Sequence, residues 1–216
     1  MRLGIVLAAS ALAVVLATPL LAAEKKYDTG ASDTEIKLGQ TMPYSGPASG
    51  YSTVGKAEAA YWKMVNSKGG INGRKITLLS MDDSYSPPKT VEQTRKLVEQ
   101  DEVLAIAGSL GTPTNSAIQK YLNAKKVPHI LISTGASKWN DPKHFPWTTP
   151  FYPPYVQEAK IYGAYIAKTM PNAKIGVIFQ NDDFGKDYLK GFKEGLGAKA
   201  SAIVKESSYE VSDPTI

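Results

Sequence analysis

The chain has 216 residues, 43% apolar and 21% charged, with a formal charge of +5 and no cysteine. This is an ordinary globular composition, and it excludes a disulfide framework, thiolate chemistry, a Cys-based metal site and a lipid anchor on cysteine. Basic and acidic residues interleave without any basic run or basic-aromatic block, which argues against nucleic-acid binding.

The N-terminus opens with Met1-Arg2, followed by an apolar, small-residue run from Leu3 to Ala17. Thr18-Pro19 breaks it, Leu20-Leu21-Ala22-Ala23 ends in small residues, and Glu24-Lys25-Lys26 turns polar. This is the layout of a secretory signal peptide over residues 1–23, with cleavage expected after Ala23 and a leader over 24–34. An uncleaved membrane anchor is the alternative, since the run is nearly long enough to span. Pro19 and the small residues favour cleavage, and release into the periplasm is expected.

From residue 35 onward strands and helices alternate. Ile36 to Gln40 is predicted as a strand. A loop rich in Gly, Pro and Ser follows over Pro43 to Ser52. Val54, Ala57, Tyr61, Met64 and Val65 recur at helical spacing, and Gly69-Gly70-Ile71-Asn72-Gly73 stops that helix. Ile76 to Met81 is the next strand, ending in Asp82-Asp83. Ser86-Pro87 starts a helix that turns Val91, Thr94, Leu97 and Val98 inward. Val103 to Ala107 is an apolar strand, followed by a helix with Ile118, Tyr121 and Leu122 on one face. Ile130 to Ile132 is a further strand. The stretch from Gly135 to Pro154 reads as irregular. A helix over Val156 to Met170, a strand over Lys174 to Gln180, a helix over Phe184 to Leu196 and a strand from Ala202 complete the pattern. The predicted fold is α/β, with parallel sheets flanked by helices in two lobes, residues 35–150 and 151–216. The second lobe shows only two strands, too few to bury a core, and reads as incomplete.

In open α/β sheets ligands bind beyond the carboxyl ends of the strands, so the loops leaving those ends carry the functional reading. Gly108-Ser109-Leu110-Gly111-Thr112-Pro113 joins an apolar strand to a helix. Its glycines admit a ligand close to the backbone, with Thr112 and Pro113 suited to the N-cap and first helical position. Amides at that helix start attract a phosphate or a carboxylate. No Lys follows, so the loop is not a P-loop. No cofactor is implied. Ser133-Thr134-Gly135-Ala136-Ser137 adds hydroxyls beside it, and Tyr44 to Tyr51 adds aromatics. Asp82-Asp83 are read as pairing with Lys or capping a turn rather than holding a metal. Ala107-Gly108-Ser109-Leu110-Gly111 is also a near miss to a nucleophile elbow, leaving a serine hydrolase using Ser109, with His129 or His144 as base, as an enzymatic rival.

The chain resembles the Leu/Ile/Val-binding receptors of ABC transporters, which have a type I periplasmic binding fold. The resemblance rests on Ile36-Lys37-Leu38-Gly39 followed by Ser45-Gly46-Pro47, on Asn66 and Gly69-Gly70-Ile71-Asn72-Gly73, on Asp82-Asp83 before Pro88-Lys89, and on Phe184-Gly185. It implies a non-enzymatic, monomeric receptor that passes a small carboxylate-bearing ligand to a membrane permease. It further implies that Leu110, Gly111 and Thr112, with neighbouring Ser109, hold the carboxylate, and that Gly135, Ala136 and Ser137 hold an ammonium group. Tyr51 and Phe184 match aromatics near the ligand. The wider set Tyr51, Phe151, Tyr152, Tyr155 and Phe184 is similar to members that bind aromatic carboxylates. The acidic second-lobe residue that grips an amino group in amino-acid receptors would lie beyond Ile216, so amino acids and aromatic acids both stay open. A ligand-sensing domain on the same fold is the alternative role.

Overall fold

A computed structural model describes residues 26–213. The expected signal peptide and its cleavage site lie outside the described residues. Among these, no helix is long and apolar enough to cross a membrane.

The first lobe is built on β1 (Glu35–Met42), α1 (Ser52–Ser67), β2 (Lys75–Asp82), α2 (Pro87–Glu99), β3 (Ala105–Ala107), α3 (Thr112–Lys125), β4 (His129–Ile132) and β5 (Thr148–Pro150). The strands form one parallel sheet in the order β2-β1-β3-β4-β5. Each strand-to-strand step is a crossover, so the loops at the carboxyl ends gather along one edge. The second lobe holds α4 (Tyr155–Thr169), β6 (Ile175–Gln180), α5 (Asp183–Leu196) and β7 (Ile203–Tyr209), with β6 and β7 paired in parallel.

The main core lies where α2 and α3 cover the sheet. Leu97, Val103, Ile106, Ile118 and Leu122 are buried there, with Val91, Val98 and Tyr121 packed against them. This matches the inward positions read for α2 and α3. On α1 the helical spacing is realised, but Tyr61 and Met64 are exposed and the buried positions are Ser52 and Gly55. A second cluster, Ile132, Ala136 and Trp139 with Tyr155 against it, sits beside the crossing between the lobes. The two long helices of the second lobe approach so closely that a Cβ on Gly163 would lie 2.3 Å from the Phe192 carbonyl oxygen.

Three sequence expectations need correction. The stretch Gly135 to Pro154 is not wholly irregular: it carries a short 3-10 turn at Ser137–Trp139 and the edge strand β5. β5 is held by side chains a pattern cannot show. Asn123 donates to the Thr148 hydroxyl at 2.8 Å and accepts the Trp147 amide at 2.9 Å, while the Trp147 carbonyl accepts the His129 amide at 2.7 Å. The third strand begins at Ala105 rather than Val103, after a left-handed Glu102 (φ 54°). At the start of α3, Gly111 is the N-cap, which moves Thr112 to the first helical position and Pro113 to the second.

Candidate functional site

A cleft of about 440 Å³ lies between the lobes, at the carboxyl ends of the strands. The β1–α1 connection lines it with Pro47, Ala48 and Tyr51, and α1 adds Val54. Tyr85 enters from the β2–α2 connection, Leu110, Gly111 and Thr112 from the β3–α3 connection, and Ser133 from the end of β4. Tyr152 and Tyr155 come from the crossing, and Gln180, Phe184, Tyr209, Val211 and Asp213 from the second lobe.

The β3–α3 connection is shaped by backbone bonding. The Leu110 amide donates to the Thr41 carbonyl at 3.3 Å and the Gly111 amide to the Ser133 carbonyl at 3.4 Å. Both are therefore engaged by the sheet and do not point freely at a ligand. Among the described residues the Thr112 amide, at the first position of α3, makes no such backbone bond and is a candidate donor for an anion. The Thr112 hydroxyl is paired with that of Thr134 at 2.6 Å. Gly111 has φ 106°, and a Cβ there would meet Thr114 Oγ1 and Tyr85 Cε2, each at 2.5 Å. Glycine is thus required both for the backbone turn and for the close approach of the Tyr85 ring.

Aromatic rings form the opposite wall. Asp182 caps α5 by accepting the Gly185 amide at 3.0 Å, which fixes Phe184 in the first turn facing the cleft. Burial pushes the Asp182 carboxyl up, partly offset by bonds from Gly185 and Gln180. Phe184, Tyr155 and Tyr188 form a three-ring cluster with centroids 5.0–5.2 Å apart, within the range favourable for aromatic pairs. Burial pushes the Tyr85 phenol up to about 12.

Beneath the β1–α1 side, Gln40 bonds to Glu58 and donates to the Gly108 carbonyl at 3.3 Å, and it accepts the Ser80 hydroxyl at 2.7 Å. Burial raises the Glu58 carboxyl, against the lowering effect of Gln40. Asp82 accepts from the Tyr44, Ser45 and Ser84 amides, each at 3.0 Å, and pairs with Lys89 at 2.9 Å. Burial would raise its carboxyl, but the bonds from Ser45, Lys89 and Ser84 outweigh it and hold it well below the usual carboxylate range. Asp83 accepts the Tyr85 amide and the Thr90 hydroxyl, both at 2.9 Å. These acids organise the β2–α2 turn. Among the described residues no group of three or more acidic or imidazole side chains could hold a metal.

Of the residues singled out from sequence, the structure brings Tyr51, Leu110, Gly111, Thr112 and Phe184 to this cleft. Five lie elsewhere. Ser109 is 1% exposed and its hydroxyl accepts the Thr41 amide at 2.9 Å. The Gly135 carbonyl accepts the Tyr155 amide at 2.8 Å, and Ala136 is buried against Ile132 and Trp139. Ser137 is bonded to Asp187 of the second lobe. Phe151 is 67% exposed and pairs edge-on with Tyr152, which takes the place in the cleft. The hydrolase rival lacks its geometry: His129 is buried with Nε2 on Asn115 at 2.8 Å, and exposed His144 is bonded to Asp141. Ser133, read from sequence as part of the loop after β4, also lines the cleft, whereas sequence reasoning missed Tyr85 and Gln180. Both sit at or just after strand ends, the same signal that singled out the other loops.

Parallel sheets in two lobes with a cleft at their carboxyl edge define a two-lobed α/β architecture whose candidate ligand site lies between the lobes. Residues 35–215 match the periplasmic binding protein family model, and the chain belongs to that family. It is 24% identical over 181 residues to an amino acid binding protein of Pseudomonas aeruginosa, covering 82% of this chain and 46% of the relative. It is 27% identical over 183 residues to Leu/Ile/Val-binding protein homolog 1 of Brucella abortus, covering 84% and 48%. Among solved structures, a substrate-binding periplasmic protein from Ralstonia solanacearum is similar at TM-score 0.71 and 29% identity, covering 81% of this chain and 49% of that one. A Rhodopseudomonas palustris ABC-transporter solute binding protein in complex with benzoate shares the fold at TM-score 0.71 and 24% identity, covering 83% and 49%. The chain spans about half the length of the relatives it matches.

Proposed function

We propose that the protein is an extracytoplasmic receptor that captures a small carboxylate with an apolar, preferably aromatic, body and delivers it to the permease of an ABC transporter. The single observation that carries this reading is the cleft itself. Thr112, at the start of α3, lines a space walled by Tyr51, Tyr85, Tyr152, Tyr155 and Phe184. An anion at a helix start and rings stacked on its body suit an aromatic acid at once. The amino acid binding relatives and the benzoate-bound structure, though only a likeness of fold in the latter case, accord with ligands of this chemistry.

Capture proceeds by closure. The first lobe takes the carboxylate, the lobes rotate about the crossing near residues 146–154, and Phe184 and Gln180 cover the ligand. No covalent step is involved. In this reading residues 1–23 direct export and are removed, residues 35–150 and 151–216 belong to separate lobes, and the receptor acts as a monomer in the periplasm. A thermal-shift screen of the mature protein tests it, with benzoate, hydroxybenzoates, phenylalanine and leucine. Ligand at about a hundred times its Kd adds about 2.7 kcal/mol of stability. A shift with the aromatic acids is expected. Shifts with leucine alone would replace the aromatic preference by an aliphatic one, and no shift with any would overturn the carboxylate reading.

A further inference from the structure

The cleft shares a wall with a second cavity of about 400 Å³, and four residues line both: Pro47, Tyr85, Gln180 and Val211. Tyr85 comes from the first lobe and Gln180 from the second. Tyr85 is fixed in an unusual way. Ser84 and Tyr85 are both left-handed, with φ 52° and 57°. For an aromatic residue that conformation is costly and persists only where the surroundings determine it. Here Asp82 accepts the Ser84 amide at 3.0 Å and Asp83 accepts the Tyr85 amide at 2.9 Å. The ring then lies over Gly111, in the space a Cβ would fill. Gln180 lines both cavities from the opposite lobe and is held by a 2.7 Å bond to Asp182. The cavities on the two sides differ in chemistry. The cleft is walled by several aromatic rings, whereas Tyr85 is the one ring among the residues lining the second cavity, which combines Pro47, Pro87, Pro113 and Val211 with Ser84, Ser86, Asp182 and Glu210.

We propose that Tyr85, backed by Gln180, is a specificity-determining partition that confines the ligand to the aromatic cleft and bars it from the cavity behind. The inference rests on the reading of the cleft as the ligand site. Solutes that the aromatic cleft holds by itself are accepted, and longer ones, whose body would extend past Tyr85 into the second cavity, are refused.

The test is isothermal titration calorimetry of the mature protein with benzoate and with a para-hydroxylated biphenyl carboxylate. Tyr85→Gly removes the ring and relieves the left-handed backbone. It is expected to raise the affinity for the long acid relative to benzoate by about tenfold or more, the scale on which pocket shape discriminates. Tyr85→Phe keeps the ring and should leave the ratio unchanged. Gln180→Ala opens the wall from the other lobe and should move the ratio in the same direction, which keeps the proposal testable where Tyr85→Gly does not fold. An unchanged ratio in the folded opening variants overturns the partition. Wild-type protein that binds neither acid overturns the ligand reading beneath it.

Discussion

Ser137 and Asp187 join the two lobes through a pair of hydrogen bonds. The Ser137 amide donates to Asp187 Oδ2 at 2.6 Å and its hydroxyl to Oδ1 at 3.1 Å. Beside them Lys138 pairs with Asp183 at 3.0 Å and donates to Ser116 at 3.1 Å. The turn after β4 is thus docked on the first half of α5, and the groups of Ser137 that sequence directed at a ligand are directed at the other lobe.

Asp187→Ala should therefore shift the receptor toward an open form. Exposed bonds of this kind contribute about 0.5–1.5 kcal/mol, so ligand affinity should fall a few-fold with little change in the melting of either lobe. Calorimetry and small-angle scattering would read this. Unaltered affinity together with an unaltered radius of gyration would show that the pair has no part in closure.

Gly111→Ala should destabilise the protein by about 1–3 kcal/mol, because it strains a φ of 106° and drives a methyl into the Tyr85 ring and Thr114. It should also weaken ligand binding by displacing Tyr85. Urea unfolding and titration of the same sample would check both, and wild-type stability would refute the close packing described here.

Ser109→Ala should cost about 1–3 kcal/mol, since the buried Thr41 amide loses its acceptor. Ligand affinity should stay within about twofold, because the Ser109 side chain does not line the cleft. Ester hydrolysis is expected to be absent before and after the change. Measurable hydrolysis lost on substitution would restore the enzymatic reading.

His129 is buried, its Nδ1 lacks a partner, and burial holds its pKa down at about 3, against 6.5 in the unfolded chain. Below pH 6.5 the unfolded state takes up a proton that the folded state refuses. Stability is therefore full above that pH and falls by up to about 1.4 kcal/mol per pH unit down toward pH 3. His129→Gln retains a donor for Asn115 and removes this titration, so stability of the variant should fall less steeply than that of the wild type below pH 6.5. Parallel stability curves from pH 7 to 5 would count against a neutral buried imidazole.

Much of this was legible in the sequence. Apolar strand runs such as Ile76 to Met81, the helical spacing of Leu97, Ile118 and Leu122, and the Gly69–Gly73 turn report local preferences that the tertiary structure reinforces. The glycine at position 111 was also legible, as a place where the chain approaches something closely. What it approaches was not. The ring of Tyr85 reaches Gly111 only because two acids at the end of β2 bend Ser84 and Tyr85 into left-handed conformations, and no spacing rule encodes that.

The sequence by itself determined the alternation of strands and helices and the edge at which a site could form, because periodic burial and strand-end loops are properties of local pattern. The tertiary structure alone decided which donors remain free, since the amides of Leu110 and Gly111 are consumed by carbonyls of Thr41 and Ser133, from strands remote in the chain. It alone turned Ser137 toward the other lobe and replaced Phe151 by Tyr152 in the cleft. Hydrogen bonds between distant segments and the rotation of a single aromatic side chain depend on which surfaces meet in the fold, and that information is carried by no residue on its own.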